Sequence, residues 1–296
     1  MFSKTLAFLS TGLALVSAAP PAITGYSLTW SDDFTGAAGS LPDSSNWIVD
    51  TGTSYPGGPA NWGTGEVQTY TNRAANIKQN GSGVLQITAV RNTAGAWTSG
   101  RIETKRTDFQ AVAGKKMRIS ARLSMPNVSG DAAAGYWPAF WTLGAEFRGN
   151  YKNWPSIGEY DIMENVNGLD KAWGVLHCGT NPGGACNEPN GIGSTSSCSG
   201  SSCKGYYHTY SIDVDRSSSP EKLTWSVDGV AYQTVTKTQL GATAWAATVQ
   251  HGHFLLLNLA MGGAFPNAVQ GSATPTSKTV SGYSLWVDWV AVYNSK

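Results

Sequence analysis

The chain has 296 residues, a formal charge of +1 at neutral pH and only 13% Asp, Glu, Lys and Arg. That balance excludes the basic footprint of a nucleic-acid binder and the acidic block of an interaction tail, and it points to an uncharged partner. The length exceeds one average domain, but all-β sandwiches often run this long as one unit, and no Pro/Ser-rich linker or internal repeat divides the chain.

From the N terminus, Lys4 precedes an apolar run from Leu6 to Val16, followed by the small residues Ser17, Ala18 and Ala19. This is the pattern of a secretory leader, so residues 1–18 are expected to be removed and residues 19–296 to form a single exported domain. The run is shorter than the ~20 residues of a membrane span and nothing later is comparable, so the mature protein is expected to be soluble. Short alternating runs then recur at 27–34, 84–90, 100–104, 116–123, 160–164, 210–214, 223–227 and 285–292, and each reads as a strand. Between them lie turn clusters such as Tyr55-Pro56-Gly57-Gly58-Pro59 and Ser217-Ser218-Ser219-Pro220, and Asp228-Gly229 is a two-residue hairpin signal. No segment after the leader sustains helical spacing. The expected fold is all-β: a jelly-roll β-sandwich of two antiparallel sheets, one of them curved around a concave groove.

Cys178, Cys186, Cys198 and Cys203 share one Gly/Ser/Asn-rich stretch. In an exported chain they suggest two disulfides; three pairings are open, and proximity favours Cys178–Cys186 with Cys198–Cys203. Zinc is the alternative, but no CxxC pair occurs. Asn80 and Asn127 begin glycosylation sequons. Twelve Trp and twelve Tyr exceed what one or two core clusters need. About half are expected to be ordinary core and sheet residues, and the flat faces of the rest suit the C–H faces of sugar rings.

The chemistry concentrates in Ile157-Gly158-Glu159-Tyr160-Asp161-Ile162-Met163-Glu164-Asn165. Acidic residues are poor strand formers, so three within six positions need a reason. Glu159 and Asp161 share a face by the two-residue repeat, whereas Glu164, five positions from Glu159, would point away. One extra residue, a β-bulge around Ile162-Met163, restores Glu164 to that face. The two glutamate backbones then lie on the order of 13 Å apart, close enough for the carboxyls to approach the roughly 5–5.5 Å of a retaining glycosidase. Acids this close should titrate apart, one as an anion and another holding a proton near neutrality. An exposed acidic edge or a three-acid calcium site is the bland alternative, against which stand the flanking Ile157, Ile162 and Met163.

At these residues the chain resembles glycoside hydrolase family 16 in its laminarinase-like branch, whose signature is a bulged Glu-x-Asp-x-x-Glu strand. The resemblance extends to Trp30-Ser31-Asp32-Asp33-Phe34, Asn61-Trp62-Gly63-Thr64-Gly65-Glu66, Gln68-Thr69-Tyr70-Thr71, Thr98-Ser99-Gly100-Arg101-Ile102, Trp137-Pro138-Ala139-Phe140-Trp141, His177, Tyr207-His208-Thr209-Tyr210, Asn258-Leu259-Ala260-Met261-Gly262-Gly263 and Val287-Asp288-Trp289-Val290. It implies a secreted retaining endo-β-1,3-glucanase, with mixed β-1,3(1,4) linkages also in range. Glu159 is then the nucleophile, Asp161 its helper and Glu164 the acid/base. Trp62, Arg101, Trp137 and Trp141 would line the groove, Asn61 and Glu66 would contact the non-reducing side, and His177 would hydrogen-bond Asp161, with a place in the core as the alternative for Trp141 and for His177. His251 and His253 are expected to be structural or part of the groove wall.

No cofactor is expected to be required, although Asp33 and Asp288 are candidates for a structural calcium by the same resemblance. The expected partner is a β-1,3-glucan, met by a monomer, with no nucleic acid and no membrane. Phe265 stands where many relatives carry Trp, and the cysteine-bearing insertion is not a general family feature. A transglycosylase would share every catalytic residue, a non-catalytic glucan-binding protein would be free to lose them, and a sulfated substrate would call for a more basic groove.

Overall fold

The computed structural model describes residues 19–296; the leader expected over residues 1–18 lies outside them. Two antiparallel sheets pack as a jelly-roll sandwich. One runs in the order Val230–Thr236, Lys222–Val227, His208–Asp215, Lys116–Ser124, Ser284–Ser295, Leu85–Thr88 and Ile77–Gln79, with Tyr26–Asp32 paired to the long Ser284–Ser295 strand. The other runs Ile192–Ser196, Ala172–His177, Glu159–Glu164, Tyr136–Gly144, His253–Met261, Arg101–Thr104 and Trp47–Val49. A small third sheet joins Thr69–Tyr70, Trp97–Ser99 and Val90–Arg91. Among the described residues, α-helix is confined to Lys237–Leu240, Ala242–Val249 and Ala264–Gln270. None of these helices is long and apolar enough to cross a membrane.

All eight expected runs fall on strands. The first ends at Asp32 instead of Phe34, because Phe34 turns to φ 51° and buries its ring against Trp47. Asp228 and Gly229, at φ 49° and 78°, form the expected two-residue turn, with Val227 opposite Val230. Alternation sorts the side chains: Ile119, Ala121, Leu123, Ile212 and Val214 from the first sheet meet Ile102, Phe140, Tyr160, Ile162, Leu255 and Leu257 from the second in one continuous core. The opposite face of the second sheet carries a cleft.

Both disulfides have the pairing that proximity favoured, Cys178–Cys186 and Cys198–Cys203, and no cysteine of the described residues is free. Zinc is thereby displaced. Asp33 accepts from the Thr35 hydroxyl, and Asp288 pairs with the Arg122 guanidinium.

Candidate active site

The strand Glu159–Glu164 lies between Tyr136–Gly144 and Ala172–His177. Against the first neighbour, Phe140 pairs with Met163 and Trp141 with Asp161, leaving Ile162 as the extra residue; against the second, Asp161 faces Val175 and Glu164 faces Trp173. This is the bulge that strand parity required. Ile162 and Met163 both drop into the core, and Glu159, Asp161 and Glu164 all line the cleft. The core braces the bulge: Trp225, from the other sheet, donates its indole N–H to the Asp161 carbonyl at 2.8 Å. Position 174 must be glycine for that ring to fit, since a Cβ there would come within 2.5 Å of the Trp225 ring and 2.3 Å of the Tyr232 hydroxyl.

The cleft holds about 330 Å³ and is walled by aromatic rings. Each glutamate has an indole partner: Trp154 Nε1 donates to Glu159 at 3.0 Å, and Trp137 Nε1 donates to Glu164 at 2.7 Å. His177 Nε2 lies 3.5 Å from Asp161 Oδ2, an atom with no hydrogen-bond partner among the described residues. Burial raises all three carboxyls. Glu159 is carried to about 7, with the Glu164 charge adding to burial while His177 and the Trp154 N–H oppose it. Asp161 rises well above the usual carboxylate range through burial and then the charges of Glu164, Glu159 and Glu188. Glu164 rises less freely, because the Trp137 N–H and His177 act against burial. For His177, burial alone would favour the neutral ring, but the hydrogen bond to Glu188 and the surrounding carboxylates carry its pKa upward. The donor atoms of Glu159, Asp161 and His177 lie within 4.8 Å of one another, so these groups share protons as a unit.

Trp62, Glu66, Arg101, Trp137 and Trp141 line the same cleft. Arg101 is buried under the rings, its guanidinium 4.4 Å from the Trp62 centroid, 4.9 Å from Trp141 and 5.3 Å from Tyr55. Its Nε donates to Asp50 at 3.0 Å and its Nη2 to the Tyr55 hydroxyl at 2.8 Å. Trp62 reaches its place because Asn61 and Trp62 both adopt left-handed backbone, at φ 51° and 56°, a conformation costly for residues with side chains. Asn61 itself is exposed and outside the cleft lining. Glu66 accepts from Thr64, Gln68 and Tyr70, so its carboxylate is already engaged. His253 is structural: it stacks on Tyr160 at 4.2 Å, its Nε2 meets the Thr248 carbonyl at 2.9 Å, and burial lowers its pKa to about 3.

Several residues of the site were not singled out from the sequence. Tyr55, Tyr151 and Trp154 come from loops; Tyr55 and Tyr151 stack at 4.6 Å with planes 2° apart. Trp173 and Trp137 both meet Phe265 edge-on, at 5.5 and 5.8 Å. Asn258 receives the Trp141 indole N–H at 2.7 Å, and Glu188 holds His177 Nδ1 at 2.7 Å. The parity of the strand after the acids could have shown Trp173 and His177 on one face; nothing local marked the loop residues.

Residues 59–226 match the family model described as the XgeA-like catalytic domain of GH16. A solved endo-1,3-beta-glucanase from Streptomyces sioyaensis is 56% identical, superimposes with a TM-score of 0.92, and covers 94% of this chain and 100% of that one. Glucan endo-1,3-beta-glucosidase from Cryptopygus antarcticus is 30% identical over 80% of this chain and 81% of its own length. Glucan endo-1,3-beta-glucosidase A1 from Niallia circulans is 31% identical over 93% of this chain, which spans 39% of that relative's length. With this match across the cleft and both of its walls, the chain belongs to glycoside hydrolase family 16.

Proposed function

We propose that the chain is a secreted endo-β-1,3-glucanase that cuts with retention through a covalent glycosyl-enzyme. The observation that carries this reading is the bulged strand, which turns three acids onto one face of an aromatic cleft and gives each glutamate an indole donor. Glu159 attacks the anomeric carbon while Glu164 protonates the departing oxygen; Glu164, now an anion, then takes a proton from the incoming water. The Trp154 N–H and the His177 imidazole favour the Glu159 anion, as the Trp137 N–H and His177 favour that of Glu164, so the division of roles rests on the motif and is decided by the azide test below. Asp161, raised by burial and the neighbouring carboxylates, faces His177 Nε2 across 3.5 Å and can share a proton with it. The walls bind the polymer through ring faces, and that binding can be used to distort the sugar at the cleavage point. The names of the relatives support β-1,3-glucan as substrate. Export is supported by the leader pattern of residues 1–18 and by the two disulfides.

The test is cleavage of laminarin, lichenan and agarose side by side, with the product anomer followed by NMR. Laminarin should shorten quickly to oligosaccharides of β configuration, and lichenan cleavage would add mixed-linkage activity; glucose released from a polymer that stays long would end the endo assignment. Glu159→Ala and Glu164→Ala should each lose about 10³-fold or more on laminarin. On an activated aryl glycoside, azide should give an α product with Glu159→Ala and a β product with Glu164→Ala. The opposite outcome would exchange the two roles.

A further inference from the structure

Glu188 follows the loop closed by the Cys178–Cys186 disulfide and is tied into it by paired backbone hydrogen bonds to Gly183, at 2.6 and 2.8 Å. Its side chain is wholly buried. Oε1 accepts the Cys178 N–H at 2.9 Å and Oε2 lies 2.7 Å from His177 Nδ1. A buried carboxylate requires donors at both oxygens, so Nδ1 must carry the hydrogen. The other ring nitrogen is thereby turned on the unpartnered Asp161 Oδ2.

We propose that Glu188 is a positioning residue for the reaction: through His177 it fixes which ring nitrogen carries hydrogen and keeps a positive charge available beside Glu159 and Asp161. The proposal rests on Glu159 being the nucleophile. With Nδ1–H committed to Glu188, Nε2 and Asp161 share a single proton. Either an imidazolium faces an Asp161 anion or a neutral ring faces protonated Asp161. When Glu159 becomes an ester and loses its charge, both Asp161 and His177 become more acidic, and the proton they share can shift between Oδ2 and Nε2 with no other change of bonds. When the ester is hydrolysed, the proton returns. The disulfide-tied insertion, remote from the sugar, thus reaches the reacting carboxylates.

The charged groups around His177 are Glu159, Asp161 and Glu164 on the acid strand and Glu188 in the loop; the Trp154 ring, 5.6 Å away, is uncharged. Removing the Glu188 charge has two opposed effects on Glu159. It deletes a nearby anion, which would lower the Glu159 pKa, and it weakens the imidazolium, which would raise it. Action through His177 requires the second effect to prevail, so the net direction the proposal expects is upward.

Imidazole ¹⁵N shifts of His177 in the intact protein test the arrangement without reference to activity. Nδ1 should stay protonated across the neutral range; a bare Nδ1 overturns the proposal while leaving the glucanase reading intact. A protonated Nδ1 in a protein that cannot cut laminarin would instead sink the reading of the reaction, and the proposal with it. In Glu188→Gln, kcat on laminarin should fall about tenfold with KM within about twofold, and the acid limb of the kcat/KM profile should move up by about half a pH unit. An unmoved acid limb overturns the proposal whatever happens to the melting temperature. In a His177→Gln background only the direct loss of an anion remains, so the same change should leave the acid limb in place or move it slightly down, and a further upward shift of equal size would show that Glu188 does not act through His177. Should Glu188→Gln fail to fold, the ¹⁵N measurement decides alone.

Discussion

On one side of the cleft Asp50 and Glu103 are matched by Arg101 and Arg148, while beside them Glu159, Asp161, Glu164 and Glu188 face a single imidazole, His177. The first group is neutral and linked throughout: Arg101 donates to Asp50 and Tyr55, Tyr55 donates to Glu103 at 2.7 Å, and Arg148 meets the other Glu103 oxygen at 2.8 Å. Burial raises Asp50 here too, but the Arg101 charge and hydrogen bond oppose it. The second group has more acids than cations and leaves Asp161 Oδ2 without a partner. Burial carries Asp50 and Glu159 alike to about 7, so the two groups differ in their partners and not in the direction of the shift. A balanced set fixes the position of Trp62 and its neighbours, whereas an unbalanced set stores protons, and stored protons are what acid/base chemistry needs.

The sharpest way to break this contrast is to unbalance the balanced group. Arg101→Met leaves Asp50 buried without its cation, while Glu103 keeps Arg148, and should cost about 3–5 kcal/mol of stability in urea unfolding. Adding Asp50→Leu should recover part of that loss, and additive losses would show that the two residues do not act as a pair.

The opposite experiment relieves the acid cluster. A carboxyl whose folded pKa is raised gives stability that is fully present below its unfolded value, near 4.3, and lost as pH rises through the folded value, here about 7. Glu159→Gln should therefore be more stable than the parent at pH 8, by about 1–2 kcal/mol after allowing for the open mouth of the cleft. The advantage should shrink between pH 7 and 5 and vanish near pH 4. A destabilised Glu159→Gln at pH 8 would mean that this acid is as well matched as Asp50.

The smallest effect belongs to Trp137→Phe. It keeps a ring on the wall but removes the N–H that favours the Glu164 anion, so the Glu164 pKa should rise. The basic limb of the kcat/KM profile, set by loss of the Glu164 proton, should move up by about half a unit. A downward move would contradict the hydrogen bond's role.

What the sequence made legible was whatever repeats every two residues. The acid strand and its bulge follow from parity alone, as do the other seven alternating runs. His253–Met261 and Tyr136–Gly144 escaped that test because aromatic and polar groups of the cleft cover one face and the core covers the other. Alternation disappears when both faces are covered, and His253–Met261 is buried at every position. The loop contributions were beyond local pattern for another reason. Trp154 and Glu188 reach Glu159 and His177 because of where the chain returns in space, and in the sequence each sits among Gly, Pro and Asn that signal only turns. Glu66 and Arg101 were legible as members of the site, but their hydrogen-bond partners were not: both are fully engaged with protein groups.

The extra residue at Ile162 also makes this site depend on counting. Glu164 stands five positions from Glu159 and returns to the cleft because the bulge sets one residue aside; losing that one residue would leave the acids two positions apart, all on the cleft face of a regular strand, whereas losing two would turn Glu164 into the hydrocarbon interior. Between homologous chains, a one-residue gap at this place should therefore mark a strand that has shed its bulge and kept its acids in line, and a two-residue gap one whose last acid has left the cleft.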